Sequence, residues 1–295
     1  MQFLHVLLFA LSIVTWCFVG FSLKKQYRYA TQIFDFLRLY PILSFASWML
    51  ALFASFLLFG QVITPFLAMC FTVLTLVLVF YSIRWQSEYL LDKFKEFLEG
   101  ITSDDFTIIS LDDYEKKLLN PDKVNVFFRH DVDISLSRTL KMAKIEKQYD
   151  IQSTYFFRLH AERYSFEKAK PIIRKLANDG FKIGLHYETL SVAKGDTKEA
   201  IELLENDLRK IREIAPVYAV AAHGQRIYKN RDIWKEVDRA TLKVSSAYDM
   251  KYDMYLSDAG GKSLRDKDGN YLFDRIYEAK PGQIVQVLIH PDWWI

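Results

Sequence analysis

Charge is nearly absent before residue 84 of this chain, and that asymmetry limits its architecture more than any motif does. Of the 39 Lys and Arg residues only Lys24, Lys25, Arg28 and Arg38 fall there, and of the 36 Asp and Glu only Asp35. A bilayer core about 30 Å thick is crossed by roughly 20 apolar residues in a helix. Residues 2–23 meet that length without a charge, and residues 41–83 are uncharged over about twice it. Divided near Gly60 and Pro65, the region predicts three helices, an all-α transmembrane anchor over 1–83 with membrane lipid as its partner. The first segment lacks the basic start and small-residue cleavage site of a signal peptide. Basic residues of short loops stay on the cytoplasmic side. Four lie between Lys24 and Tyr40 and none in the 60–65 turn, while Arg84, Lys93 and Lys95 follow the third helix. An integral, multi-pass protein with its polar domain facing the cytoplasm is expected.

Beyond residue 83 the acidic and basic residues are equal in number, so the formal charge of +3 sits wholly in the apolar part. A balanced polar domain has no electrostatic footprint for nucleic acid, and none is expected as a partner. Cys17 and Cys70 lie in apolar runs, where cysteine behaves as a small hydrophobe. A polar connector over 84–123 leads to a domain over 124–295. There, β-rich runs at Val124 to Phe128, Ser153 to Arg158, Phe181 to Leu185, Val217 to Ala222, Leu242 to Ser246, Met254 to Leu256 and Gln283 to Ile289 alternate with helical patterns. The helical stretches Leu136 to Gln148, Glu167 to Ala177 and Lys198 to Ile214 space their apolar residues three and four apart. This alternation predicts an α/β fold, a distorted (β/α) barrel of about seven parallel strands.

Polar residues follow the strands regularly. Arg129, His130, Asp131 and Asp133 come after the first, His186, Tyr187 and Glu188 after the third, His223 after the fourth, Asp258 after the sixth, and His290 and Asp292 after the last. Parallel barrels carry their active sites on the rim formed by the C-terminal strand ends. Four of the six histidines of the chain therefore converge on one rim with several carboxylates. Asp131 and Asp133, two apart in an extended segment, share a face, and so do His186 and Glu188. Carboxylate oxygen and imidazole nitrogen suit a divalent metal, in particular zinc, whose hydrolytic sites use three protein ligands and keep one position open.

These motifs resemble the polysaccharide deacetylase family, the NodB-homology or carbohydrate esterase family 4 group, over roughly Val124 to Trp294. The resemblance rests on the Asp131 to Asp133 motif after the first strand, Ser153 to Phe157 in the second, Gly184 to His186 in the third and Leu288 to His290 in the last. It implies a distorted β/α barrel and metal-dependent removal of acetyl groups from N-acetylated sugars. Carried over by position, it makes Asp131 the catalytic base, Asp133 and His186 metal ligands and His290 the catalytic acid. The chain departs from the pattern in three places. Val132 separates aspartates that are usually adjacent, so their roles could be exchanged; Leu190 stands where a second metal histidine falls; and His223 lies near the place of an arginine motif.

With Leu190 unable to ligate, Glu188 and His223 rank equally as the third metal donor, with His130 behind them because it should point away from Asp131. Arg129, Tyr187, Asp258 and Trp293 are expected to contact substrate, although Asp258 also suits a turn and Trp293 with Trp294 also suits a lock on the barrel or a contact with the bilayer interface. Tyr155, Phe156 and Phe157 read as barrel filling. The expected substrate is an N-acetylated glycan or its lipid-linked or nucleotide-linked sugar precursor. A catalytically inactive membrane protein that binds a glycan or partner at the same rim, and an amidohydrolase of a non-sugar amide, are the alternatives.

Overall fold

The computed structural model of the chain describes residues 89–225, 227–258 and 264–294. The transmembrane helices expected over residues 1–83 lie outside them. Among the described residues no helix is long and apolar enough to cross a membrane. The elements, in chain order, begin with α1 (Leu91–Ile101), β1 (Phe106–Ile109), α2 (Leu111–Glu115), β2 (Val124–Val132), α3 (Leu136–Gln148) and β3 (Thr154–Phe157). They continue with α4 (Phe166–Asn178), β4 (Lys182–Tyr187), α5 (Thr189–Val192), α6 (Thr197–Arg212) and β5 (Val217–Ala222), and end with α7 (Arg239–Leu242), β6 (Ser245–Ser246), β7 (Met254–Ser257) and β8 (Ile284–Ile289).

The sheet runs in the order β6-β5-β4-β3-β2-β8-β7, with β1 added to β2, and each of these pairings is parallel. Seven of these strands are the seven expected from the sequence. β1 is an eighth and comes from the stretch read as a connector. It pairs with Val124 to Phe127 along one edge of β2, and β3 takes over that edge from Arg129 to Val132. From residue 89 onward, therefore, the connector belongs to the same compact unit as the barrel.

Strand alternation sorts the side chains of β2 onto two faces. Phe128 and His130 turn outward onto the ring of Phe94 in α1, while Phe127, Arg129 and Asp131 turn into the barrel. Phe127 joins Phe156, Ala219, Ala221, Ala247 and Met250 in an inner apolar cluster. Tyr155, Phe157 and Tyr187 belong instead to the core between the strands and helices α4 and α6. Phe156 alone of its aromatic run fills the barrel. Its ring lies against Gly184 so closely that a Cβ there would stand 2.3 Å from a ring carbon. The guanidinium of Arg129 covers the same ring at 5.3 Å, which sets the floor of the rim above it.

Candidate active site

Side chains at or just past the ends of β2, β4, β5 and β8 come to a common centre. Asp131, the last inward residue of β2, receives two hydrogen bonds from Arg129 on the same strand face: Nε to Oδ1 at 2.8 Å and Nη2 to Oδ2 at 2.7 Å. Both residues are buried. Burial alone would raise the Asp131 pKa, but the Arg129 guanidinium, followed by His186, overrides it and holds the carboxyl below its usual range. The charge-assisted fork is also the stronger kind of hydrogen bond.

Asp133 sits just past the strand, in a turn fixed by Asp292. The Asp292 carboxylate accepts the main-chain N–H groups of Asp133, Ile134 and Ser135 at 3.2, 3.0 and 2.5 Å, and Arg138 donates to its carbonyl. The segment after β8 is thereby tied to the turn after β2 and to the start of α3. Asp133 Oδ1 is 3.4 Å from His186 Nε2 and 3.9 Å from His223 Nε2, and Asp133 Oδ2 is 4.0 Å from His290 Nε2. His186 Nε2 is equally 3.4 Å from Asp131 Oδ2. Three imidazoles surround the Asp133 carboxylate, and although burial opposes it, they depress its pKa far below the usual carboxylate range.

The rings are oriented from behind. His186 Nδ1 lies 3.0 Å from the Ala221 carbonyl, a partner that can only accept, so Nδ1 carries a proton and Nε2 is the ring nitrogen turned to the aspartates. His290 Nδ1 is 2.5 Å from Asp258 Oδ1, and the His290 main-chain N–H donates to Asp258 Oδ2 at 2.6 Å. Burial would lower the pKa of His290, but the Asp258 carboxylate beside it, with Asp133 and Asp131 beyond, pushes it up to about 10. His223 Nδ1 stands 3.3 Å from Glu188 Oε2.

Buried polar atoms in folded proteins are almost always hydrogen-bonded. Among the described residues Asp133 Oδ1 and His223 Nδ1 are exceptions, buried within ion-pair distance of their neighbours yet not aligned for a hydrogen bond. A tetrahedral zinc with bonds of about 2.0–2.2 Å keeps its donors about 3.3–3.6 Å apart. The separations of Asp133 Oδ1 from the two Nε2 atoms are near that spacing, and the donor set is one zinc accepts. Among the described residues no three or more His, Cys, Asp and Glu side chains stand close enough together, as placed, to hold a metal ion.

Several residues expected to touch substrate or metal have other partners. Arg129 holds Asp131, and Asp258, fully buried, holds His290. Glu188 has both oxygens engaged by Arg158, at 2.8 and 2.5 Å, which leaves His223 the better placed of the two candidates for third donor. Tyr187 faces away from His186 into the core, where its hydroxyl accepts from Trp234 Nε1 at 2.7 Å. Trp293 is 7% exposed and Trp294 1%. Trp294 packs on Tyr89, Phe94 and Phe273, as a lock on that side of the barrel. His130, as expected, points away, and contacts Glu146 at 2.5 Å inside the core. Arg158 was not among the expected site residues, being read as the end of the second strand, and Asp292 was read as a rim residue without a role.

No family model matches the chain, and no curated protein matches it. Solved structures do. A carbohydrate esterase family 4 esterase from Streptococcus mutans is 17% identical, with a TM-score of 0.44 over 62% of this chain and 80% of that one. A peptidoglycan deacetylase from Bacillus subtilis is 18% identical, with a TM-score of 0.40 over 59% of this chain and 77% of that one. A family 4 pseudoenzyme from Bacillus anthracis is 16% identical, with a TM-score of 0.39; the match covers 58% of this chain but only 56% of the pseudoenzyme's length. Two of these three solved structures are of carbohydrate esterase family 4, one an esterase and one a pseudoenzyme.

Proposed function

We propose that this chain is a divalent-metal-dependent hydrolase that removes acetyl groups from an N-acetylated sugar of a glycan. The observation that carries this reading is the convergence, on one rim, of three kinds of group. They are an ionised carboxylate held by arginine, an Asp–His–His donor set, and a protonated histidine backed by a carboxylate. Asp133, His186 and His223 would hold the metal. Bound there, zinc would polarise the amide carbonyl and acidify a water.

The remaining steps belong to the protein's own side chains. Asp131, kept ionised by Arg129, accepts the proton of the attacking water as its oxygen adds to the carbonyl carbon. His290, kept protonated by Asp258, delivers a proton to the nitrogen as the C–N bond breaks, so that acetate and a free amine leave. The arrangement separates the two roles by environment: one group is held charged by a cation, the other by an anion.

The test is acetate release from a panel of N-acetylated glycans by the zinc-loaded protein, with zinc content measured in parallel. Asp133→Ala or His186→Ala should abolish zinc binding. His290→Ala should retain zinc and lose turnover by about 10²–10⁴-fold, the usual contribution of a general acid. Zinc retained with no acetate released from any glycan would sink the deacetylase reading.

A further inference from the structure

Arg158, the first residue after β3, is the most completely engaged cation of the rim and has no part in the mechanism above. It is buried. Its Nε and Nη2 donate to the two oxygens of Glu188 at 2.8 and 2.5 Å, Nη2 also reaches Glu162 at 2.9 Å, and Nη1 reaches the main-chain carbonyl of Asp133 at 3.5 Å. The same segment is stitched to the Asp133 turn once more. The Tyr164 hydroxyl accepts the main-chain N–H of Arg158 at 3.1 Å and donates to the carbonyl of Val132 at 2.8 Å.

One guanidinium therefore touches the turn after β2, which carries Asp133, and the turn after β4, which carries Glu188 behind His223. Through the Asp133 carbonyl it fixes the turn after β2. Through Glu188 it reaches His223, whose Nδ1 stands 3.3 Å from Glu188 Oε2 while the opposite nitrogen, Nε2, faces Asp133 Oδ1 at 3.9 Å. A histidine that ligates a metal usually donates its other ring nitrogen to a carboxylate or carbonyl, which sets its tautomer and direction. His186 has the Ala221 carbonyl for this purpose, and Glu188 stands 3.3 Å behind His223 Nδ1, near enough to serve it on a small turn of the ring. A buried arginine–carboxylate pair is no better than well-packed apolar residues as filling, so its presence behind two donors calls for a geometric reason.

We propose that Arg158 is the positioning residue of the metal site. By clamping Glu188 behind His223 and the carbonyl of Asp133, it brings donors from β2 and β5 to one point. This rests on the reading of Asp133, His186 and His223 as zinc ligands. It assigns Glu188 to orientation, not coordination, and makes the fork of the guanidinium the required feature, because only a planar fork engages both Glu188 oxygens and a third acceptor together.

The experiment uses the purified full-length chain in detergent. It compares wild type, Arg158→Lys and the paired Arg158→Met/Glu188→Leu, and takes two measurements on each. Zinc affinity is read by competition with a chelating indicator, and the urea midpoint is read on metal-free protein. The paired variant removes both buried charges together, so its urea midpoint should lie near that of wild type, while its zinc affinity should fall by about 10- to 100-fold, the range for loss of a partner behind a ligand. Arg158→Lys keeps the charge and loses the fork, and should weaken zinc to a similar extent. Wild-type zinc affinity in either variant would overturn the proposal, since the pair would then be structural only. If the urea midpoint and zinc affinity of both variants fell together and wild-type affinity returned under stabilising osmolyte, the proposal would be equally overturned. Failure of the wild-type chain itself to bind zinc would instead defeat the metal reading on which the proposal stands.

Discussion

At the scale of single residues the site is an arrangement of charges that fix one another's protonation. Asp258 is the clearest case, because its carboxylate overcomes the burial of His290 and lifts the imidazole to about 10. A group whose folded pKa is raised stabilises the fold fully below its unfolded value, near 6.5, and that contribution is lost as pH rises toward 10. Asp258→Asn should remove the pH dependence of the urea midpoint between those limits. It should also move the alkaline limb of the proposed deacetylation downward by more than one pH unit, and an unmoved limb would separate His290 from the proposed proton delivery to the amine. The centre itself was legible in the sequence, since Asp131, Asp133, His186, His223 and His290 all stand at or just past the C-terminal ends of strands. The partners were less so. Arg129 and Asp131 sit two apart on one strand, and that spacing was a usable signal for their fork. The pairing of Glu188 with Arg158 crosses from β4 to β3, and no local spacing records it.

Among the elements, α3 is bound to the sheet through a buried acid. Glu146 accepts from Ser153 Oγ at 2.8 Å and Tyr155 Oη at 2.6 Å on the β3 side, and contacts His130 Nε2 at 2.5 Å on β2. All four residues are buried. Glu146→Ala would leave two hydroxyls and an imidazole without their partner, and breaking such a network costs about 3–5 kcal/mol. Urea unfolding monitored by far-UV circular dichroism should show a loss of that size, with Glu146→Gln intermediate; a loss under about 1 kcal/mol would mean the network relaxes onto other partners. The same residue shows why elements read unevenly from sequence. α3, α4 and α6 were placed within a residue or two because each is long enough to repeat its apolar residues three and four apart. The four-residue β1, by contrast, is too short for any period to register. Leu242, read as the start of a strand, closes the short α7, and β6 is left with only Ser245 and Ser246.

For the molecule as a whole, the boundary of the folded unit decides how the rim is supported. The sequence put that boundary near Val124, where strand alternation begins, because Leu91 to Glu115 reads as polar when its few apolar residues are averaged with their neighbours. The structure gives those few residues specific seats. Phe94 and Phe97 of α1 lie against Phe128, Phe273 and Trp294, and Tyr89 donates to the main-chain carbonyl of Asp258 at 3.3 Å. β1 covers the first half of the β2 edge that would otherwise be unpaired. Burying a phenylalanine side chain is worth about 1.5–3 kcal/mol, and an exposed edge strand invites association. A chain of residues 89–295 should therefore express as a folded protein with a single cooperative thermal transition. A chain of residues 124–295 should lose at least the two phenylalanine contributions, about 3–6 kcal/mol, which is comparable to the whole stability of many domains. Gel filtration and thermal melting of the two chains decide the matter. Equal melting temperatures would show that α1 and β1 are an attached decoration; aggregation or loss of the transition in the shorter chain alone would show that the segment next to the apolar N-terminal region is structurally part of the barrel whose rim holds Asp258 and His290.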